Sequence, residues 1–273
     1  MLIITGLFSC LSVGRLSAQI SRGGLPPSIE GDIENDLFHT IEIPAPDTGR
    51  LLAEDDFTDK HGIAMRFAVS TPVEIDVLKE GTWSRPDGSS RICRLGISSS
   101  KAQALIFYYS DFSIPEGAEI FLYSDDRKHV IGAFDHRSNQ NGKGFATEMV
   151  YGEKVILEYV EHRKPAESAR IIIDEVGYVY RTADHMFRSR GFGGSDTCEV
   201  NVNCQEGEVW QDQIRSVARI IVKQGFASFW CTGSLVNNTR QDNTPYFLTA
   251  NHCGPNATPA DLEKWIFYFR YEG

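Results

Sequence analysis

Tyr246-Phe247-Leu248-Thr249-Ala250-Asn251-His252-Cys253-Gly254 is a short apolar strand that runs into a polar turn, where a histidine and a cysteine stand side by side. Upstream, Cys231-Thr232-Gly233-Ser234-Leu235-Val236 closes a second strand running from Phe229 to Val236. Ile214 to Val222 precedes it, and Lys264-Trp265-Ile266-Phe267-Tyr268-Phe269-Arg270-Tyr271 follows. These runs are short, aromatic and β-branched, and turn residues separate them, which is the signature of strands. Asn237 to Pro245 reads as a polar connector, Gly254 to Pro259 as a turn, and Ala260 to Lys264 as one helical turn. A histidine in such a setting has two readings. It is a hydrogen-bonded core residue, or it is a general base. A serine hydroxyl is a poor nucleophile at neutral pH, and a rigidly held imidazole has the pKa to activate it.

Together the two strings resemble the trypsin-like serine proteases, in which a Cys-Gly-Gly-Ser-Leu-type strand precedes an Ala-Ala-His-Cys-type segment. The bacterial lysyl endopeptidases share still more of the wording. Their Cys-Thr-Gly-Ser-Leu-Val-Asn-Asn-Thr string is matched by Cys231 to Thr239, and their Tyr-Phe-Leu-Thr-Ala-His-His-Cys-Gly string by Tyr246 to Gly254. Asn251 stands where that second string has its first histidine. The resemblance covers roughly residues 190–273. It implies a general-base role for His252 and a disulfide between Cys231 and Cys253. It also implies that Cys198 and Cys204 pair with cysteines beyond Gly273, with a local Cys198–Cys204 bridge as the alternative. The spacing of Cys198 and Cys204 is not that of a zinc knuckle, and no metal or cofactor is expected.

A triad also needs a carboxylate and a serine. The only acids after His252 are Asp261, Glu263 and Glu272, too close in sequence for the role the resemblance assigns. Ser234 reads as a structural strand residue, and no Gly-Asp-Ser-Gly-Gly-type string occurs. The chain is therefore expected to be the N-terminal part of a longer protease precursor, with acid and nucleophile further on.

Outward from the protease-like segment (196–273), residues 183–195 hold Arg188-Ser189-Arg190-Gly191 and further glycines, a pattern suited to a cleavable junction. Arg188 and Arg190 are the expected processing positions. Residues 51–182 carry strand candidates at 62–69, 104–109, 118–123, 130–134, 153–160 and 169–173. Many short strands at even spacing predict a β-sandwich or jelly-roll-like pro-region. The expected fold is thus mainly β: this pro-region, then the incomplete first β-barrel of a trypsin-like protease. Residues 19–50, rich in Gly, Pro and acids, read as a linker or extended arm. Residues 1–18 read as a signal peptide: Leu2 to Val13 is apolar but too short to span a bilayer, and Ser17-Ala18 suits cleavage. Secretion follows, and with it a disulfide-permissive setting for the cysteine cluster. Trp83, Trp210 and Trp230 read as packing residues.

The 273 residues are 41% hydrophobic and 23% charged, an ordinary globular composition, with a net charge of −10. That balance argues against nucleic acid, which needs a basic face, and lends nothing to binding of an anionic membrane. Protein or peptide substrates are the expected partners. The rival reading is a secreted β-sandwich binding or adhesion protein carrying an inactive protease remnant.

Overall fold

The computed structural model describes residues 21–31, 37–60, 64–85, 90–139, 144–163, 165–181, 202 and 204–271. The signal-peptide stretch, the junction with Arg188 and Arg190, and Cys198 lie outside these residues.

In chain order the elements are α1 (Pro27–Glu30), β1 (Thr40–Glu42), α2 (Thr48–Lys60), β2 (Arg66–Asp76), α3 (Val77–Glu80), β3 (Thr82–Ser84) and β4 (Arg91–Ser98). Next come β5 (Ala104–Ser113), β6 (Ala118–Ser124), β7 (Val130–Phe134), β8 (Phe145–Ala146), β9 (Val150–Tyr151), β10 (Lys154–Glu161) and β11 (Arg170–Val179). The last third supplies β12 (Val217–Gln224), β13 (Ala227–Val236), β14 (Tyr246–Thr249) and β15 (Ile266–Phe269). The protein is mainly β, as the strand patterning predicts.

Two sheets form. One is six-stranded, ordered β1-β4-β10-β6-β7 with β3 beside β4. The other is nine-stranded, ordered β15-β12-β13-β2-β11-β5-β8, with β14 on β13 and β9 on β5. Strand β10, Lys-Val-Ile-Leu-Glu-Tyr-Val-Glu, shows why they stack. Its Val155, Leu157 and Tyr159 project to one side and meet Leu105, Phe107, Ile173 and Val176 of the second sheet in one buried cluster. The opposite side carries Glu158, also fully buried. A buried carboxylate needs bonded partners. Ser28 of α1 supplies its backbone N–H at 3.1 Å and its hydroxyl, and the Tyr123 hydroxyl donates at 2.8 Å. The segment read as an arm thus lies across the outer face of the first sheet. The arm is also tied to β7, Arg22 N–H donating to Ala133 C=O at 3.0 Å and Ala133 N–H to Gly23 C=O at 3.1 Å.

Strands β12 to β15 do not stand apart from this sandwich. β13 pairs antiparallel with β2, so the second sheet runs on into the last third and curls into a half-barrel. Alternation along β12 sorts its two faces. Ile221 packs with Phe67, Ala104, Ile106 and Tyr108 on the sandwich side, whereas Ile220 and Val222 face a separate small core with Cys253 and Trp265.

Some local expectations need correction. α2 occupies residues 48–60, partly inside a region read as wholly β. Its buried positions are Leu51 and Asp55, so its inner face is half ionic and its apolar periodicity is faint. Asp47 starts it by accepting the Arg50 N–H at 3.0 Å, and the Asp55 carboxylate is held by Arg66 at 2.9 Å, Arg181 at 3.1 Å and the Tyr180 hydroxyl at 2.6 Å. β4 has no counterpart among the expected strands, because Arg94 and Gly96 interrupt its apolar run. The strand expected at 62–69 is displaced to Arg66–Asp76. Pro72 sits there at an irregularity in the β2–β11 ladder, the kind of position at which a strand tolerates proline. Trp210 is not a packing residue: 57% of it is exposed, beside the exposed Val209. Trp83 and Trp230 do pack, Trp83 edge-on to Tyr159 at 6.0 Å and Trp230 stacked on Phe67 at 4.2 Å.

Candidate functional site

The hairpin β12–β13 turns through Gly225 (φ 55°) and Phe226, and β14 then pairs with the far end of β13, Gly233 opposite Thr249 and Ser234 opposite Leu248. β14 ends at Thr249. Asn251–Cys253 form a single 3₁₀ turn, closed by Cys253 N–H donating to Ala250 C=O at 3.0 Å. This turn carries His252.

Three contacts hold it. Cys253, almost fully buried, is joined by a disulfide to Cys231 on β13, with the Cα atoms 5.8 Å apart. The sequence separation is 22, for which the chain-entropy account gives a stabilisation of about 3 kcal/mol. The Thr249 hydroxyl donates to Thr232 C=O at 2.8 Å and lies 3.1 Å from Cys253 Sγ. Gly254 rests against the Trp265 ring so closely that an added Cβ would lie 2.7 Å from it. Trp265 is fixed in turn, its indole N–H donating to Lys223 C=O at 3.0 Å.

His252 itself is exposed, which removes the core-residue reading. A ring nitrogen of His252 and the sulfurs of Cys231 and Cys253 lie within 4.8 Å of one another. Both sulfurs are committed to the disulfide, so neither offers the thiolate that a metal would need. The arrangement is an imidazole presented to solvent from a covalently anchored turn.

Of the acids that follow His252, Glu272 lies outside the described residues and Asp261 is engaged elsewhere. The Asp261 carboxylate caps its own one-turn helix, Pro259–Leu262, accepting from the Thr258 N–H at 2.8 Å and the Thr258 hydroxyl at 2.7 Å. Its other oxygen accepts the Gly225 N–H at 3.2 Å. The Ser234 hydroxyl pairs with that of Ser216 at 3.3 Å and donates to Leu235 C=O at 3.1 Å, the behaviour of a structural serine. An open groove of about 490 Å³ runs beside the turn, lined by Val217, Thr232, Ser234, Leu248 and Ala250 among others. Among the described residues Cys204 is exposed and makes no disulfide. Thr249 and Trp265 were not singled out from sequence. Thr249 lies inside the matched string, but Trp265 is seated under Gly254 only by the return of β15.

Curled antiparallel strands bearing a disulfide-anchored histidine at a strand end make a β-rich, protease-like unit. Comparison with known proteins narrows the class. Residues 192–273 match the family described as lysyl endopeptidase, C-terminal domain. A lysyl endopeptidase of Pseudomonas aeruginosa is 26% identical over 253 residues, an alignment covering 84% of this chain and 52% of that protein. The chain is thus a relative of the lysyl endopeptidase-like proteases, and it spans about half the length of the curated relative it matches. No solved structure matches it.

Proposed function

We propose that this chain is the N-terminal portion of a secreted serine endopeptidase precursor. The observation that carries the reading is the anchored, solvent-facing His252 on a segment matching the lysyl endopeptidase domain. His252 accepts the proton of a serine hydroxyl and returns it to the leaving amine. The acid and the nucleophile come from sequence after residue 273, since Asp261 is tied into a helix cap and Ser234 into a strand. Peptide bonds after lysine, or alternatively arginine, are the proposed substrates, lysine being the preference in the relative's name. Residues 1–18 direct export, residues 19–50 are the arm and residues 51–182 the pro-region, separated from the protease segment by cutting at Arg188 or Arg190.

The test is made on the full-length protein. His252→Ala lowers kcat for a lysyl amide substrate by about 10⁴-fold or more, with the disulfide still formed by mass spectrometry. Undiminished turnover in that variant removes His252 from the mechanism. A wild-type full-length protein with no turnover on any peptide favours the binding-module reading.

A further inference from the structure

Lys223 and Lys264 come from different elements of the protease-like segment, the first from β12 and the second from the bend just ahead of β15, yet both reach one carboxylate. Lys223 is 1% exposed, and its ammonium lies 2.8 Å from Glu175. Lys264 lies 3.4 Å from the same side chain and donates to Asp174 at 2.6 Å. Among the described residues, these two acids are the ion-pair partners of the two lysines, and both belong to β11 of the sandwich. In a regular strand, consecutive side chains point to opposite faces. At Ile173/Glu175 the β11 ladder slips against both β2 and β5, and that bulge lets Asp174 and Glu175 meet the same ammonium.

The bonds that shape the lysine pair are internal to the protease-like segment. The Lys223 ammonium donates to Gly225 C=O in the β12–β13 turn, and Lys223 C=O accepts the Trp265 indole N–H at 3.0 Å. Lys264 N–H donates to Asp261 C=O at 3.0 Å. The Asp261 carboxylate does not serve the lysines, because it caps its own helix and accepts the Gly225 N–H. Exposed Phe226 has its ring centre 5.8 Å from the Lys223 ammonium and gives the pair an apolar flank. Two ammonium groups held this close repel each other, and a pair of carboxylates offsets that repulsion. Trp265 also backs Gly254, so one side chain links the lysine pair to the turn that carries His252.

We propose that Lys223 and Lys264 form a binding site for adjacent carboxylates, and that in the matured protein this site takes an acidic segment of a polypeptide substrate, away from the bond being cut. Asp174 and Glu175 are the chain's own occupants of the site. The inference deepens the precursor reading and rests on it for removal of the sandwich, which uncovers the lysines.

The experiment uses the full-length protein after maturation, with residues 21–181 shown by mass spectrometry to be absent. The probe is a fluorescein-labelled peptide Ser-Gly-Asp-Glu-Gly-Ser, compared with its Asn-Gln counterpart by anisotropy. The Asp-Glu peptide is expected to bind at least about fivefold more tightly, and Lys223→Met and Lys264→Met together to erase that preference, as does high salt. Equal binding of the two peptides, or a preference that survives both substitutions, overturns the proposal. With wild-type enzyme the Asp-Glu peptide is expected to raise KM for an acidic protein substrate and to leave cleavage of a small lysyl amide unchanged. Equal inhibition of both places the peptide in the catalytic site and overturns the proposal too. Should the lysine variants not mature, the whole chain reads the same site. In Asp174→Ala with Glu175→Ala, glutarate is expected to raise the melting temperature more than chloride does at equal ionic strength, with no such difference in the wild type. Equal effects of the two anions refute a carboxylate site. The anisotropy and melting experiments need no turnover, so their outcome is separate from the role of His252.

Discussion

Gly233, the third residue of Cys-Thr-Gly-Ser-Leu-Val, has no room for a side chain. A Cβ there would lie 2.2 Å from the Phe247 ring and 2.7 Å from Leu248 C=O. Phe247 cannot simply swing away, because it packs edge-on against Phe267 at 4.9 Å. Gly233→Ala is therefore expected to cost about 1–3 kcal/mol, the usual penalty for overpacking, read as a lower denaturant midpoint with an unchanged slope. A midpoint equal to that of the wild type would mean that β14 can shift without cost. His252 and the disulfide pair Cys231 and Cys253 were legible as residues, because the strings around them are local and carry their own spacing. The side chains that seat the turn were less so. Trp265 lies beyond a polar connector and a helical turn, and nothing in its own neighbourhood pairs it with Gly254.

At the scale of elements, strands were read well wherever β-branched and aromatic residues ran unbroken, as in β5, β6 and β10. Elements whose inner faces are ionic were missed. α2 buries Asp55 against Arg66 and Arg181, and periodicity in apolar residues is silent about such a face. The arm of residues 21–31 is a similar case, since polar contacts pin it. Just past β7, Asp135 accepts from Arg22 at 3.1 Å and from Arg137 at 2.6 Å. Burial works to raise the Asp135 pKa, but the Arg137 side chain and backbone N–H, followed by Arg22, outweigh it and hold it down to about 2. A carboxyl whose folded pKa lies below its unfolded value of about 3.9 stabilises the fold above that value and loses this contribution as pH falls towards 2. Hydrogen exchange at the Arg22 amide is expected to accelerate between pH 4 and pH 2, after correction for the intrinsic rate. In Asp135→Asn that amide is already fast at pH 6, and its corrected rate no longer steps between pH 4 and pH 2. An unchanged Arg22 amide in this variant would show that the backbone bonds to β7 alone hold the arm.

Across the whole molecule, the nine-stranded sheet joins what reads in sequence as two successive units. Stacking of Phe67 on Trp230 and burial of Ile221 and Ile266 under the sandwich couple their stabilities. Thermal unfolding followed by calorimetry is accordingly expected to show one transition, with calorimetric and van't Hoff enthalpies equal. Two resolved transitions would mean that the half-barrel melts independently of the sandwich.

The sequence by itself determined what depends on short-range order: a mainly β chain, the position of its principal strands, and a histidine beside a cysteine in wording similar to one protease family. Only the tertiary structure decided that the arm lies over Glu158, that β13 adds to β2, and that Lys223 and Lys264 meet Asp174 and Glu175. Strand patterning records which face of a strand is apolar, but not which distant edge completes its ladder. Isolated lysines and acids look like solvated surface until the fold removes the water between them.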